Sequence, residues 1–281
     1  MNVLRVPEAR LDGVASYSYD DVARALAEVS LASGATVMMH SSLFNLGRLS
    51  GVSVRDYPAT LVSAIREHLG PDGTLLVPAP NWDYGAKREP FDVAHTPVTK
   101  MLGVVSAHVN QLPERHRSAN PIFSVAALGA RAEEICAGNT ANAFGYHSPW
   151  QRMFDLDAEA LCFGTDFEFL TLIRYAEMRF GVPYLYNKYF DVPLLRDGET
   201  LDWPVIAPLR YAHLPIRYDP RKPEALCREH GILRETRLGG GPVMAVRMQD
   251  FLPVVMDALD QDVHFFLAEV PDYDSAKLPR V

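Results

Sequence analysis

Apolar residues fall into two alternating rhythms along the first part of the chain. Over 18–34 they recur at helical spacing (Val22, Leu26, Val29, Leu31) behind a polar Tyr19-Asp20-Asp21 start, with Gly34 as a C-cap, which predicts an amphipathic helix. Residues 35–43, ATVMMHSSL, form a short apolar run that ends in two serines and predicts a buried strand entering a turn. The pair then repeats. An amphipathic helix is expected over 57–69, closed by Gly70-Pro71-Asp72-Gly73, and a strand over 74–78. Helix–strand alternation of this kind argues for a parallel or mixed sheet covered by helices.

Residues 81–97 are turn-rich, an excursion of the sort that covers a site. A helix is expected over 101–112. A polar loop from Arg117 then passes Asn120-Pro121 into a strand over 123–128, and a helix follows over 131–137. Further on come a strand over 160–164, a helix over 167–180 and an aromatic, alternating strand over 184–195. The stretch 196–223 is proline-rich, with edge strands. A short helix over 224–230, a strand over 243–247 and a final helix over 248–259 complete the pattern. No repeat, low-complexity tract or dividing linker interrupts it. The expectation is one α/β domain over 1–281, with a mixed central sheet and long insertions.

Composition narrows the class. The 281 residues are 48% hydrophobic and 22% charged, as in globular chains, and no apolar run is long enough for a membrane span. The start, MNVLRVPEARLDG, lacks the pattern of a signal peptide. Cys136, Cys162 and Cys227 are scattered, without a CxxC pair, so disulfides and a zinc site are not expected and a cytoplasmic location is. Net charge is −8 with Lys and Arg dispersed, which offers no basic face for nucleic acid. That balance suits an amine-bearing partner, and it is equally the ordinary acidity of a soluble enzyme.

Three places can carry chemistry. The segment HSSLFNLG, from His40, ends a strand with hydroxyl and backbone donors suited to phosphate or an amide chain, though capping of a helix start explains it as well. His147, in GYHSPW, is a loop histidine that can serve as a general base or simply sit on the surface. Arg174 and Glu177 share a helix face and suit a structural ion pair, while Glu177 and Glu168 are alternatively placed to bind an amine or take its proton. No Walker loop, GxGxxG, GxSxG or HExxH motif is present, and the histidines form no metal-ligand pattern.

Read together, HSSLFNLG, DGTLLVPAPNW, FDVAHTP, RSANPIFSVAALGARAEEI, GYHSPW and TLIRYAE occur in an order and spacing that resemble the antibiotic N-acetyltransferase family, over most of residues 18–267. Its best-known members are the aminoglycoside 3-N-acetyltransferases. The resemblance implies a single α/β/α fold unlike the commoner acetyltransferase fold, and direct transfer of an acyl group from acetyl-CoA or another acyl-CoA to an amine in a ternary complex. It further implies that His40, Ser41, Ser42 and Leu43 follow the pantetheine arm, with Thr96, Thr99 and Ser118 helping to hold the coenzyme. Asn81, Trp82, Asn120, Phe123 and Arg174 then fall on the acceptor side, and a monomer or homodimer is implied.

The chain departs from that family where histidines are usual. A loop resembling HPTHS is here Asn120-Pro121-Ile122-Phe123-Ser124, and the histidine ahead of the Ala-Glu pair is Arg174. An alkylammonium with a pKa of about 10 must lose a proton before it can attack a thioester, and neither Phe123 nor Arg174 can take one. Glu177, Glu168 or His147 would have to do so. An arginine at 174 stays charged, would repel a polycation and suits a phosphate or carboxylate on the acceptor. The expectation is an N-acyltransferase for an amine other than a classical aminoglycoside, such as an amino sugar or amino-sugar nucleotide. The alternatives are an aminoglycoside 3-N-acetyltransferase with a relocated base, and a non-catalytic coenzyme A binder.

Overall fold

The computed structural model describes residues 15–138, 142–212 and 214–273; the N-terminal stretch read above for a signal peptide lies outside the described residues. Strand β1 (Ser16–Tyr17) leads into α1 (Tyr19–Glu28), whose start is fixed by a capping box between Ser18 and Asp21. The helix stops well before Gly34. The apolar rhythm continues because the following turn itself packs inward through Leu31, which is buried. Next come β2 (Thr36–Ser41), α2 (Leu43–Leu46), β3 (Arg48–Leu49), α3 (Tyr57–Leu69), β4 (Thr74–Pro78), α4 (Asp83–Ala86) and β5 (Phe91–Asp92). A 3-10 turn at Lys100–Leu102 precedes α5 (Gly103–Val109), which is shorter than the pattern predicts.

Strands β6 (His116–Arg117) and β7 (Val125–Gly129) are followed by α6 (Ala132–Cys136) and α7 (Pro149–Asp155). Helix α7 was not expected. Ser148 caps it through the Gln151 amide and Pro149 opens its first turn, both ordinary start signals inside the GYHSPW motif. After β8 (Glu159–Phe163), the helix expected over 167–180 splits into a 3-10 turn at Phe167–Phe169 and α8 (Leu172–Phe180). The strand expected over 184–195 splits too, into β9 (Leu185–Phe190) and β10 (Leu194–Arg196), which join different sheets across Pro193. The chain closes with β11 (Glu199–Leu201), β12 (Val205–Arg210), α9 (Arg221–Glu229), β13 (Arg234–Leu238), β14 (Gly241–Arg247) and α10 (Met248–Gln261).

The central sheet has seven strands in the order β13-β14-β8-β2-β4-β7-β6. Strands β8, β2 and β4 run parallel and the other pairings are antiparallel, so the sheet is mixed. Its side chains alternate between two cores. Val37, Met39, Leu75 and Val77 face α1, α3 and α5, while Met38, Leu76, Cys162 and Val246 face α6 to α10. Burial on both faces explains why the strands read as nearly unbroken apolar runs. The carboxyl ends of β8, β2 and β4 emerge at one edge of this α/β/α sandwich, the position where open sheets of this kind hold ligands.

Candidate functional site

At that edge lies a cavity of about 650 Å³. One wall is the end of β2 and the turn after it, His40, Ser41, Ser42, Leu43 and Phe44. The turn is pinned to the end of β8: the Ser42 amide donates to the Phe163 carbonyl at 2.9 Å and the Asn45 side chain to the Gly164 carbonyl at 2.8 Å. Gly164 makes the approach possible. Its φ is +75°, and a Cβ there would collide with the Ser42 carbonyl oxygen and the Leu46 side chain. Ser42 stands at the N-cap of α2, yet its hydroxyl makes no cap bond, which leaves it available to the cavity.

His40 ties this wall to the opposite one. Its Nε2 accepts from the Thr171 backbone N–H at 3.3 Å and lies 3.0 Å from the Thr171 hydroxyl. An amide can only donate, so Nε2 is the unprotonated nitrogen and the proton sits on Nδ1, which is buried without a partner. Burial pushes the His40 pKa down to about 4. The Thr171 contact also accounts for the split helix, because the Thr171 amide leaves helical hydrogen bonding to meet β2.

The opposite wall carries the charges. Arg174 stacks over the Tyr218 ring, 3.9 Å from its centroid, and donates to the Tyr218 hydroxyl and to the Glu177 carboxylate. Glu177 is wholly buried behind it and also accepts from the Tyr184 hydroxyl at 2.7 Å. Burial is the largest single influence and alone would lower the Arg174 pKa, but the Glu177 charge, Tyr218 and the hydrogen bonds to both together outweigh it and the net shift is upward. Burial raises Tyr218 and Tyr184, so both stay protonated. Arg174 is therefore matched charge for charge and offers no free cation to an acceptor. Two carboxylates do line the cavity. Glu168 is exposed on its 3-10 turn and has no ion-pair partner among the described residues, whereas Asp219 is gripped by Arg221 at 2.8 and 2.9 Å, which lowers its pKa.

The loop before β7 supplies an apolar surface. Asn120 Oδ1 accepts from the Ile122 and Phe123 amides at 3.1 and 3.2 Å, a local turn that leaves both side chains on the cavity wall. Phe123 packs on Phe144 with centroids 4.6 Å apart, Phe144 on Trp150 at 5.5 Å, and Trp150 Nε1 donates to the Phe123 carbonyl at 3.4 Å. Arg117 anchors the same loop from behind, donating to the Thr96 and Ala79 carbonyls and lying over Phe91.

Of the residues singled out from sequence, the cavity thus gathers His40, Ser41, Ser42, Leu43, Trp82, Phe123, Glu168 and Arg174. The others lie elsewhere. Asn81 and Thr99 brace the excursion, through the Pro97 carbonyl and the Trp82 amide, and Thr96 accepts from the Asp92 amide. Ser118 accepts from the Val125 amide and, with Asn120 and the exposed His147, borders a separate small cavity. Glu177 does not line the large cavity. Sequence reasoning missed Tyr218, Asp219, Trp150 and Phe266, all of them on its wall. The Tyr-Asp-Pro step inside the proline-rich stretch was the one signal for the first two. Among the described residues no group of three or more His, Cys, Asp or Glu could hold a metal ion, and no helix is long and apolar enough to cross a membrane.

Comparison with known proteins supplies the rest. A family model described as aminoglycoside 3-N-acetyltransferase matches residues 38–260. Aminoglycoside N(3)-acetyltransferase IV from Salmonella sp is 30% identical over 243 residues, which cover 86% of this chain and 87% of that protein. The crystal structure of aminoglycoside acetyltransferase AAC(3)-IVa, a histidine-to-alanine mutant in complex with a gentamicin, superimposes with a TM-score of 0.73 at 26% identity over 94% of this chain and 95% of that one. The binary complex of AAC-IIIb with CoASH shares the fold, with a TM-score of 0.74 at 23% identity over 92% of this chain and 100% of that one.

Proposed function

The chain belongs to the aminoglycoside 3-N-acetyltransferase family of coenzyme A-dependent N-acetyltransferases, and on that premise we propose that it acylates an amine of an aminoglycoside-type amino sugar bound between Glu168 and Asp219. The carrying observation is the buried Arg174–Glu177 pair. The case for an acceptor outside the aminoglycosides rested on the missing histidines and on the charge of Arg174, and the ion pair with Glu177 offsets that charge. The names of the relatives favour the alternative that kept an aminoglycoside and moved the base.

The residues present fit a pantetheine-bearing donor. Ser41 and Ser42 border the cavity, and the Ser42 hydroxyl, which caps nothing, is free to bond an amide of the arm. When bound, the donor supplies the activated thioester. The chain's own part is to bring the amine in as a cation and neutralise it. Glu168 takes one proton from the ammonium; the amine nitrogen then bonds to the acyl carbon as the carbon–sulfur bond breaks, and the second proton leaves on the sulfur as coenzyme A thiol. His40 stays neutral and fixes the position of Thr171.

The test is thiol release from acetyl-CoA with gentamicin or kanamycin as acceptor. Release with stoichiometric N-acetyl product supports the reading. Tight coenzyme binding with release only for amino-sugar nucleotides overturns the acceptor class. Binding with no release for any amine overturns catalysis.

A further inference from the structure

Arg174 spends only one of its nitrogens on its neighbours. Nη1 donates one hydrogen to the Glu177 carboxylate and the other to the Tyr218 hydroxyl. Nε and Nη2 make no hydrogen bond among the described residues, and neither is a buried atom left unpaired, so both are open to solvent. The side chain is 23% exposed and borders the large cavity, which places those N–H groups on its wall. They stand where the two walls meet. Thr171, one turn before Arg174, lies 3.0 Å from His40, and His40 directly precedes Ser41. The stack on Tyr218 and the two Nη1 bonds hold the guanidinium plane in place. Its charge is offset by Glu177, and the other charges on the wall are Glu168 and an Asp219 paired with Arg221. A ligand with a standing negative charge would therefore meet no net positive field. A charge that appears only in passing needs something else, fixed donors already aimed at it.

We propose that Arg174 is a catalytic residue of the acyl transfer, its Nε and Nη2 donating to the thioester carbonyl oxygen as negative charge builds there. The inference rests on the coenzyme-dependent reading above. The amine, having given one proton to Glu168, bonds through its lone pair to the acyl carbon, and the carbonyl π pair moves onto the oxygen held by Arg174. That pair then returns, the carbon–sulfur bond breaks with its electrons on sulfur, and the amine's second proton goes to the sulfur. An arginine that cannot accept a proton thus takes part in the chemistry as a donor.

Difference infrared spectra of bound acetyl-CoA, labelled with ¹³C at the thioester carbonyl and held without any acceptor, test this. A donor on the oxygen weakens the carbonyl bond, so the labelled band should move to lower frequency on the unaltered protein. In the double variant Arg174→Gln/Glu177→Gln, which removes both charges together and strands neither, the band should return to its frequency in water. The same variant should lose about 100-fold or more in kcat while its affinity for acetyl-CoA holds. Should it fail to fold, Arg174→Lys, which keeps a cation beside Glu177 but not the planar fork, should shrink the displacement. Bound acetyl-CoA with an undisplaced band, or a displacement that persists in these variants, overturns this proposal and leaves the functional reading intact. An amino-sugar phosphate that binds more tightly than the unphosphorylated amine, with the advantage lost in the double variant, overturns it as well by assigning Arg174 to the acceptor. Failure to bind acetyl-CoA at all overturns the functional reading and this proposal with it.

Discussion

Arg174 and Glu177, one helical turn apart on α8, cancel each other's charge inside the wall of the cavity, with Tyr218 stacked outside the guanidinium and Tyr184 bonded to the carboxylate behind it. The pair fixes what the cavity shows to an acceptor. A cation meets the carboxylate of Glu168 and an Asp219 already paired with Arg221, not a bare arginine.

Removing one partner should be severe. Glu177→Gln strands a largely buried guanidinium and is expected to cost about 3–5 kcal/mol, read as a lowered urea midpoint with an unchanged slope. A stable Glu177→Gln protein that had merely lost the acid limb of its pH–rate profile would instead identify Glu177 as the proton acceptor.

If Glu168 is the proton acceptor as proposed, Glu168→Gln should lower kcat/KM for the amine by roughly 100-fold and abolish the acid limb while coenzyme binding persists. Asp219→Asn should chiefly raise KM for the acceptor, since Asp219 is held by Arg221 and serves as an anchor. Steady-state rates across pH separate the two; equal effects on kcat in both variants would refute the division of roles.

His40 makes folding sensitive to mild acid. The unfolded chain takes up a proton at this position below about pH 6.5, while the folded one resists until about pH 4. Stability therefore falls as pH drops through that window, by about 3 kcal/mol for this group. His40→Gln should flatten the window, as measured by denaturant titrations at pH 7, 5.5 and 4; an unaltered pH dependence would show that His40 is not the titrating group.

Gly164→Ala asks a side chain to adopt a φ of +75° against the Ser42 carbonyl. A loss of roughly 2 kcal/mol is expected. Weaker CoA binding should accompany it, because the turn carrying Ser41 and Ser42 is displaced. Thermal melts with and without CoA give both numbers.

Local pattern made part of this legible. The helix Tyr57–Leu69 and the strand Thr74–Pro78 fall where periodicity and the Gly-Pro-Asp-Gly punctuation put them, because the rhythm and the stop signals agree. The helix over 167–180 did not survive. Thr171 turns its amide to His40, a partner far away in sequence that no window of neighbouring residues reveals. The same limit governs the site. The HSSL turn could be read as the end of an apolar strand, whereas Glu177 looked like a candidate base until its partners were seen, and Asp219 and Phe266 reach the cavity only through the return of α9 and the segment after α10. Asn120 was read as an acceptor contact, but its side chain is spent on shaping the turn that presents Phe123.

Two of the chain's three tryptophans border the cavity, Trp82 exposed at 41% and Trp150 buried at 2%, while Trp203 lies on the small cavity beside Asn120. The protein therefore carries its own optical reporter. A ligand that covers the mouth should shift the red, water-exposed emission of Trp82 toward blue. One that packs against Phe123 should alter the quantum yield of Trp150, whose indole bonds the Phe123 carbonyl, so a single fluorescence titration distinguishes the two positions.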